Sequence, residues 1–123
     1  MLAPVKPAIT ERDPERREIS MAEPSQHQLY ENLAQVGRAL GNGSRLELLE
    51  RLAQAEASVE TLAQGIGLTT ANASQHLQNL RRAGLVTARR DSRQMIYRLT
   101  DDRIISLIAL MRDIAGDAGR HRG

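Results

Sequence analysis

The sequence predicts a mainly α-helical domain that carries one small β-hairpin. Hydrophobic residues make up 41% of the 123-residue chain, but Tyr30 and Tyr97 are its only aromatic residues, so Leu, Ile, Val, Met and Ala must build the core. Such a core suits packed helices better than a β-sandwich. Apolar residues recur at helical spacing along most of the chain, and the period changes only after Gly84. A chain of this length is expected to hold one small domain and a tail.

The first 24 residues are expected to form a disordered N-terminal tail. This segment holds all four prolines and a dense charge run from Glu11 to Glu18, and it shows little apolar periodicity. It carries charges where a secretion signal would be apolar, and no apolar run in the chain approaches the roughly 18 residues that span a membrane. We therefore expect a cytoplasmic protein.

Two helices are predicted at the start of the ordered part. The segment Ser25-Gln26-His27-Gln28 fits a capping box and begins a helix that runs to about Leu40. The segment Gly41-Asn42-Gly43 ends this helix. A second capping box, Ser44-Arg45-Leu46-Glu47, opens a helix to about Ala53.

Two further helices flank a tight turn. Ser58 can cap a short helix that ends in the turn Gly65-Ile66-Gly67-Leu68, where glycine permits a positive φ. Thr69 or Thr70 caps the next helix, and Gly84 stops it. On a helical wheel, the second helix of this pair buries one apolar face, formed by Ala73, Leu77 and Leu80.

A β-hairpin and a last helix complete the ordered part. Residues 85–90 and 94–99 are strand candidates, and Asp91-Ser92-Arg93 joins them. In the second strand, the face predicted to meet the core consists of Met95, Tyr97 and Leu99. Thr100, followed by two aspartates, has the chemistry to cap the last helix.

The order of these elements describes a winged helix-turn-helix. The polar face of the helix after the turn holds amides, hydroxyls and Arg but no acid, and amides can pair with adenine while Arg neutralises phosphate. Between Ala71 and Arg98 there are six Arg and one acid, Asp91, which suggests a polyanionic partner. The alternative is an ordinary solvated face. The predicted contacts to double-stranded DNA are Thr69, Thr70, Asn72, Ser74, Gln75, Gln78, Arg82, Arg89, Arg90 and Arg93.

The first and last helices each carry an apolar stripe. In a domain of roughly 90 ordered residues, leaving both stripes in water would be costly, and packing them on a symmetry mate would bury both. The two recognition helices would then lie about 34 Å apart and read an imperfect inverted repeat. The alternative is that both stripes pack on their own chain. The predicted dimer residues are Leu29, Leu33, Val36, Ile104, Leu107, Ile108 and Met111.

Four segments resemble the ArsR/SmtB family of bacterial repressors over roughly residues 29–114. They are Arg45-Leu46-Glu47-Leu48-Leu49, Thr69 to Leu77, Leu80-Arg81-Arg82-Ala83-Gly84-Leu85-Val86 and Tyr97-Arg98-Leu99. The resemblance implies a winged helix-turn-helix fold and a homodimeric repressor that leaves its operator when an inducer, often a metal ion, binds.

The family's usual metal ligands are missing from this chain. Metal-binding members of the family often place Cys-Val-Cys at the start of the short third helix. By the resemblance, the corresponding positions here are Ser58, Val59 and Glu60. The family's site on the last helix corresponds to Asp101, Arg103, Ile114 and Asp117, so both of its imidazoles are absent. We therefore expect no metal site and no cofactor, and the inducer is unidentified.

The remaining histidines favour other roles. His76 lies on the flank of the recognition helix, where we expect it to be buried or to contact phosphate. Asp113, Asp117 and His121 are spaced by four, but Gly116 and Gly119 weaken that helix, so a frayed C-terminal tail over 117–123 is favoured over a metal site.

Residues 25–116 are thus predicted to be one DNA-binding and dimerisation domain of a transcriptional repressor. There is no phosphate-binding loop, no Gly-x-Ser-x-Gly motif and no cysteine, so an enzyme is not expected. The alternative functions are a winged-helix module that binds protein and the DNA-binding half of a protein whose sensing domain is separate.

Overall fold

The computed structural model of the chain describes residues 25–122, with side chains to residue 120. The predicted tail over 1–24 lies outside the described residues. The chain divides into two units between Ala34 and Gln35. The helices are α1 (Gln26–Leu40), α2 (Gly43–Gln54), α3 (Val59–Ile66), α4 (Thr70–Arg82) and α5 (Arg103–Arg122). The strands are β1 (Ala57–Ser58), β2 (Val86–Asp91) and β3 (Gln94–Leu99).

The first two helices begin at side-chain caps. The Oγ of Ser25 accepts a hydrogen bond from the backbone N–H of Gln28 at 3.0 Å, which confirms the predicted start of α1. The predicted cap of α2 is wrong, because Asn42 and not Ser44 fills that role. Asn42 has an extended backbone and its Oδ1 accepts from the N–H of Arg45 at 3.0 Å, which places Ser44 inside the first turn.

The helix-turn-helix follows the prediction closely. Ser58 caps α3 by accepting from Thr61 N–H at 3.1 Å, and Thr69 caps α4 by accepting from Asn72 N–H at 3.1 Å. Helix α3 runs to Ile66, inside the predicted turn, because the chain reverses only at Gly67, which has φ 76°. A bulkier residue would be strained in this left-handed conformation.

The sheet has a strand that the sequence patterns do not reveal. β1 pairs antiparallel with β3, so the order is β1-β3-β2 and β3 is the central strand. The predicted hairpin of β2 and β3 is confirmed, but β2 lies one residue later than expected, because Asp91 pairs with Gln94 and does not lie in the turn. Ser92 takes φ 59° in that turn. Ile96, predicted on the outer face of β3, is 9% exposed. Its partners across the sheet are Ser58 and Arg89.

The start and end of α5 differ from the prediction. Asp101 and not Thr100 caps the helix, because its Oδ1 accepts from Arg103 N–H at 2.8 Å. The Thr100 hydroxyl instead donates to the carbonyl of Gly84 at 2.8 Å. The helix continues past residue 116, where the frayed tail was expected to follow, and its last turns contain an ion pair between Asp117 and Arg120.

The core of residues 35–122 lies where α2, α3 and α4 meet the sheet. The predicted inner face of α4 is confirmed, since Ala73, Leu77 and Leu80 are all fully buried. Tyr97, one of the two aromatic residues, is also buried there. Within residues 25–122, no helix is both long and apolar enough to cross a bilayer.

Candidate nucleic-acid interface

The exposed face of α4 carries most of the predicted DNA contacts. One face of α4 is buried and consists of Ala73, Leu77 and Leu80. The amides of Asn72 and Gln75 lie on the other side of the helix and therefore face solvent. The other predicted residues of this region are also exposed or half-buried: Thr69, Thr70, Ser74, Gln78 and Arg82. The Thr69 hydroxyl oxygen caps the helix while the side chain stays exposed.

Several of these side chains line one concave surface along α4. Its volume is about 370 Å3, and no acidic residue lines it. The residues around it are Arg45, Ser74, Gln75, His76, Gln78, Asn79 and Arg82. Arg45 and Asn79 were not predicted contacts. Arg45 lies on α2, and the capping motif that contains it does not indicate that its side chain would lie beside α4. The surface therefore presents amides, hydroxyl and cations to an anionic partner.

The hairpin of β2 and β3, which we call the wing, holds the other predicted contacts. Arg89 is engaged within the chain, since its Nη1 and Nη2 donate to the two carboxylate oxygens of Glu56 at 2.8 and 2.7 Å. This two-pronged contact, with the nearby charge of Arg98, holds the pKa of the Glu56 carboxyl below its usual range. The pair joins the wing to the residue just before β1.

Arg90 and Arg93 differ from Arg89 in their surroundings. Both are exposed, at the end of β2 and in the turn, and neither has a side-chain partner among the residues that the structure describes. Arg98 lies opposite Thr87 along the ribbon and not at its tip. The tip of the wing thus offers two unpaired guanidinium groups for phosphate.

The predicted dimer residues fall into three classes. Leu29 and Leu33 of α1 are exposed. Val36, Leu107 and Met111 are partly buried against the core of their own chain. Ile104 and Ile108 are buried in that core, at 6% and 8% exposure, so the single chain already covers them.

Apolar side chains other than the predicted dimer residues are exposed as well. Tyr30 on α1 is 60% exposed, and α5 exposes Ile105, Leu110 and Ile114. The helical spacing of apolar residues does not separate an inner from an outer apolar stripe when one helix carries both. Ile105 and Leu110 could have been found as the apolar residues of α5 left over once the core positions are assigned.

The residues at the family's metal positions on α5 are engaged differently. Arg103 donates through Nη2 to Asp101 Oδ2 at 2.8 Å, and this contact lowers the pKa of the Asp101 carboxyl. Within the described part of the chain, no three His, Asp or Glu side chains come together as a metal site would require. The side chain of His121 lies outside the described residues.

Comparison with known proteins places this fold. Residues 40–89 match the family described as a helix-turn-helix domain. The HTH-type transcriptional regulator Rv0324 of Mycobacterium tuberculosis is 40% identical over 89 residues, which span 72% of this chain and 39% of that protein. The nodulation protein NolR of Rhizobium meliloti is 35% identical over 94 residues, 76% of this chain and 77% of NolR.

A solved structure agrees with both. It is the solution NMR structure of the homodimeric winged helix-turn-helix DNA-binding domain (fragment 1–100) of Mb0332 from Mycobacterium bovis, a possible ArsR-family transcriptional regulator. The identity is 40%, the TM-score is 0.68, and the match covers 72% of this chain and 82% of that one.

The fold and the exposed face of α4 define a winged helix-turn-helix protein. The chain belongs to the ArsR family of HTH-type transcriptional regulators, which confirms the resemblance seen in its motifs. It spans less than half the length of Rv0324. The family is one of transcriptional regulators and not of enzymes, as the sequence predicts.

Proposed function

We propose that this chain is a cytoplasmic, sequence-specific DNA-binding repressor that acts as a homodimer. The observation that carries the proposal is the acid-free polar face of α4, which the core holds outward through Ala73, Leu77 and Leu80. A rigid helix with outward amides fits the major groove, where Asn and Gln can pair with adenine through two hydrogen bonds. Thr69 and Thr70, at the start of α4, are proposed to contact the sugar-phosphate backbone.

Selection of duplexes from a random-sequence pool tests this function. We expect enrichment of an imperfect inverted repeat whose half-sites lie about 10 base pairs apart, because two copies of α4 in a two-fold dimer would enter successive major grooves. A pool that stays random after several rounds of selection would contradict sequence-specific binding.

The wing is proposed to contribute phosphate contacts through Arg90 and Arg93. We expect Arg90→Ala and Arg93→Ala each to reduce the slope of log K against log salt by about 1.8, because each removes one cation from both subunits of the homodimer and each cation displaces about 0.9 counterion from DNA. Both variants should lose affinity for selected and shuffled duplexes alike. Fluorescence anisotropy over a salt series measures the slopes, with Arg51→Ala, an exposed cation on α2, as the matched control. Unchanged slopes in both wing variants would remove the wing from the interface.

The homodimer is proposed to bury the exposed apolar residues of α1 and of α5. Leu29 and Leu33 on the one helix, and Leu110 and Ile114 on the other, are 42 to 60% exposed in the single chain. Water contact at these side chains is costly, and a second copy would relieve it. The structure of Mb0332 is described as homodimeric, which supports the same assembly here.

Light scattering of charged variants tests the dimer. At micromolar concentration we expect the chain to have twice its 13.6 kDa mass, and Leu33→Glu and Leu110→Glu each to shift the mass toward a single chain. Gln64→Glu places the same charge on exposed α3 and should leave the dimer intact. A monomeric mass for the unaltered chain would overturn this assembly.

Release from DNA by a signal is the remaining part of the proposal. The family resemblance implies such a step. Rv0324 is longer than this chain, so in that relative a separate domain is available for sensing. We do not propose a metal ion as the signal, because Ser58, Glu60 and Arg103 replace the ligands at the family's positions.

A further inference from the structure

Arg45 makes three contacts that join α1, α2 and α4. Its Nε donates to the carbonyl of Ala39 at 2.7 Å and its Nη2 donates to the carbonyl of Arg38 at 3.1 Å. Its Nη1 lies 3.3 Å from Nδ1 of His76 on α4. Arg45 is half-buried, so these contacts hold its guanidinium in one place beside the recognition helix.

The charge of Arg45 has no acidic partner among the described residues. Four other arginines pair with carboxylates: Arg89, Arg103, Arg112 and Arg120. Arg45 instead contacts two carbonyls and an imidazole. The carbonyls at the end of α1 carry a partial negative charge, which offsets a full positive charge only in part. A half-buried cation with these contacts can still bind an anion from outside the chain.

The contact with Arg45 also determines which nitrogen of His76 carries the proton. A guanidinium has only donors, so Nδ1 must be the acceptor, and the neutral ring then has its hydrogen on Nε2. Nε2 has no partner among the described residues, which contain no buried side-chain nitrogen or oxygen without a partner. Nε2–H is therefore open to solvent and free to donate.

Arg45 and His76 border the concave surface along α4, and a second hollow adjoins it. The second hollow has a volume of about 260 Å3 and shares Arg45, Asn79 and Arg82 with the first. Arg38 of α1 also lines it. No Asp or Glu lines either hollow, so three arginines set the charge of this edge of α4.

We propose that Arg45 and His76 form a binding site for one phosphodiester group of the DNA backbone, beside α4 and separate from the wing. Arg45 supplies the charge, and Nε2–H of His76 supplies a hydrogen bond to a phosphate oxygen. By donating to Nδ1, Arg45 also holds the imidazole in the tautomer that can donate. This inference rests on the proposed function, because it names a further contact to the same DNA.

The test compares variants that separate charge from hydrogen bonding. Arg45→Met should reduce the slope of log K against log salt by about 1.8 and weaken binding of the homodimer about sixtyfold at 0.1 M salt, the contribution of one phosphate contact in each subunit. Arg51→Met is the matched control, because Arg51 also lies on α2 and donates to a carbonyl at a helix end, that of Gly65, yet lines neither hollow.

His76 provides a second, independent readout. His76→Leu removes both ring nitrogens at similar volume and should weaken binding about tenfold with an unchanged salt slope, since no charge is lost. His76→Gln keeps one acceptor for Arg45 and one donor for phosphate, and should bind within about twofold of the unaltered chain. Thermal unfolding of each variant shows whether the fold is intact, and the His76 pair remains informative if Arg45→Met unfolds.

Chemically altered duplexes locate the contact. Single uncharged methylphosphonates in the selected duplex should weaken binding of the unaltered chain at every contacted phosphate. At one of these positions per half-site, Arg45→Met should show no further loss. Equal slopes for Arg45→Met and the unaltered chain, or equal losses for Arg51→Met, would overturn the site. Equal losses for His76→Leu and His76→Gln would overturn the hydrogen bond.

Competition with inorganic phosphate at constant ionic strength distinguishes a free anion from DNA. If phosphate displaces the duplex from the unaltered chain but not from Arg45→Met, the site binds free phosphate instead.

Different results would contradict the proposed function and the phosphate site. If the unaltered chain shows no salt-dependent binding to any duplex, the proposed function fails. If it binds its selected duplex and Arg45→Met keeps the full slope, only this phosphate site fails.

Discussion

Leu77→Ala is expected to lower the free energy of unfolding by about 2 to 5 kcal/mol. Leu77 lies in the middle of α4 and is fully buried, where α4 packs against α2 and α3. Truncation removes apolar contacts and leaves a cavity that rigid neighbouring helices fill only in part. Because Leu77 also holds α4 in place, the variant should lose DNA affinity as its folded fraction falls.

Urea denaturation at one fixed protein concentration measures this effect, since the stability of a dimer depends on concentration. Gln78→Ala, the next residue and exposed on the same helix, is the control and should stay within about 0.5 kcal/mol of the unaltered chain. Equal stabilities for Leu77→Ala and Gln78→Ala would mean that α4 is not held through this face.

Gln75→Ala should cost about 1 to 3 kcal/mol of binding for each half-site of the selected duplex and nothing on a shuffled duplex. Gln75 is exposed on α4 and lines the acid-free concave surface, so its amide can reach a base edge without first breaking a contact within the chain. The loss should be confined to substitutions at one base pair of each half-site, because a two-pronged contact reads one base.

Anisotropy titrations of both duplexes give the two free energies. Gln54→Ala removes an exposed amide from the end of α2, away from the proposed interface, and serves as the control. If Gln75→Ala weakens the selected and shuffled duplexes equally, Gln75 contacts the backbone and does not read a base.

Local sequence patterns predicted most of the fold. Ser58 and Thr69 cap their helices as expected, and the inner face of α4 follows directly from its 3.6-residue period. The errors arose where two residues of similar chemistry competed. Asn42 and Ser44 can both cap α2, as can Thr100 and Asp101 at α5, and the tertiary structure decides between them. The two-residue strand β1 forms only because β3 lies beside it. A local sequence pattern does not predict such a pairing between distant residues.

The candidate site was predictable in its composition but not in its pairings. The amides of α4 and the arginines of the wing are visible in the sequence, and their exposure follows from the buried face opposite. The pairing of Arg89 with Glu56 joins residues 33 apart, and that of Arg45 with His76 joins residues 31 apart. Such contacts depend on how helices and strands pack, so residue spacing alone does not reveal which arginines are already engaged.

The most direct measurement is the affinity of the chain for its selected duplex and for a shuffled duplex of the same composition, by fluorescence anisotropy at two salt concentrations. We expect a preference of about a thousandfold or more for the selected sequence, with binding to both duplexes weakening as salt rises. Equal affinities at both salt concentrations would contradict it, because an α4 that reads bases must distinguish the two sequences.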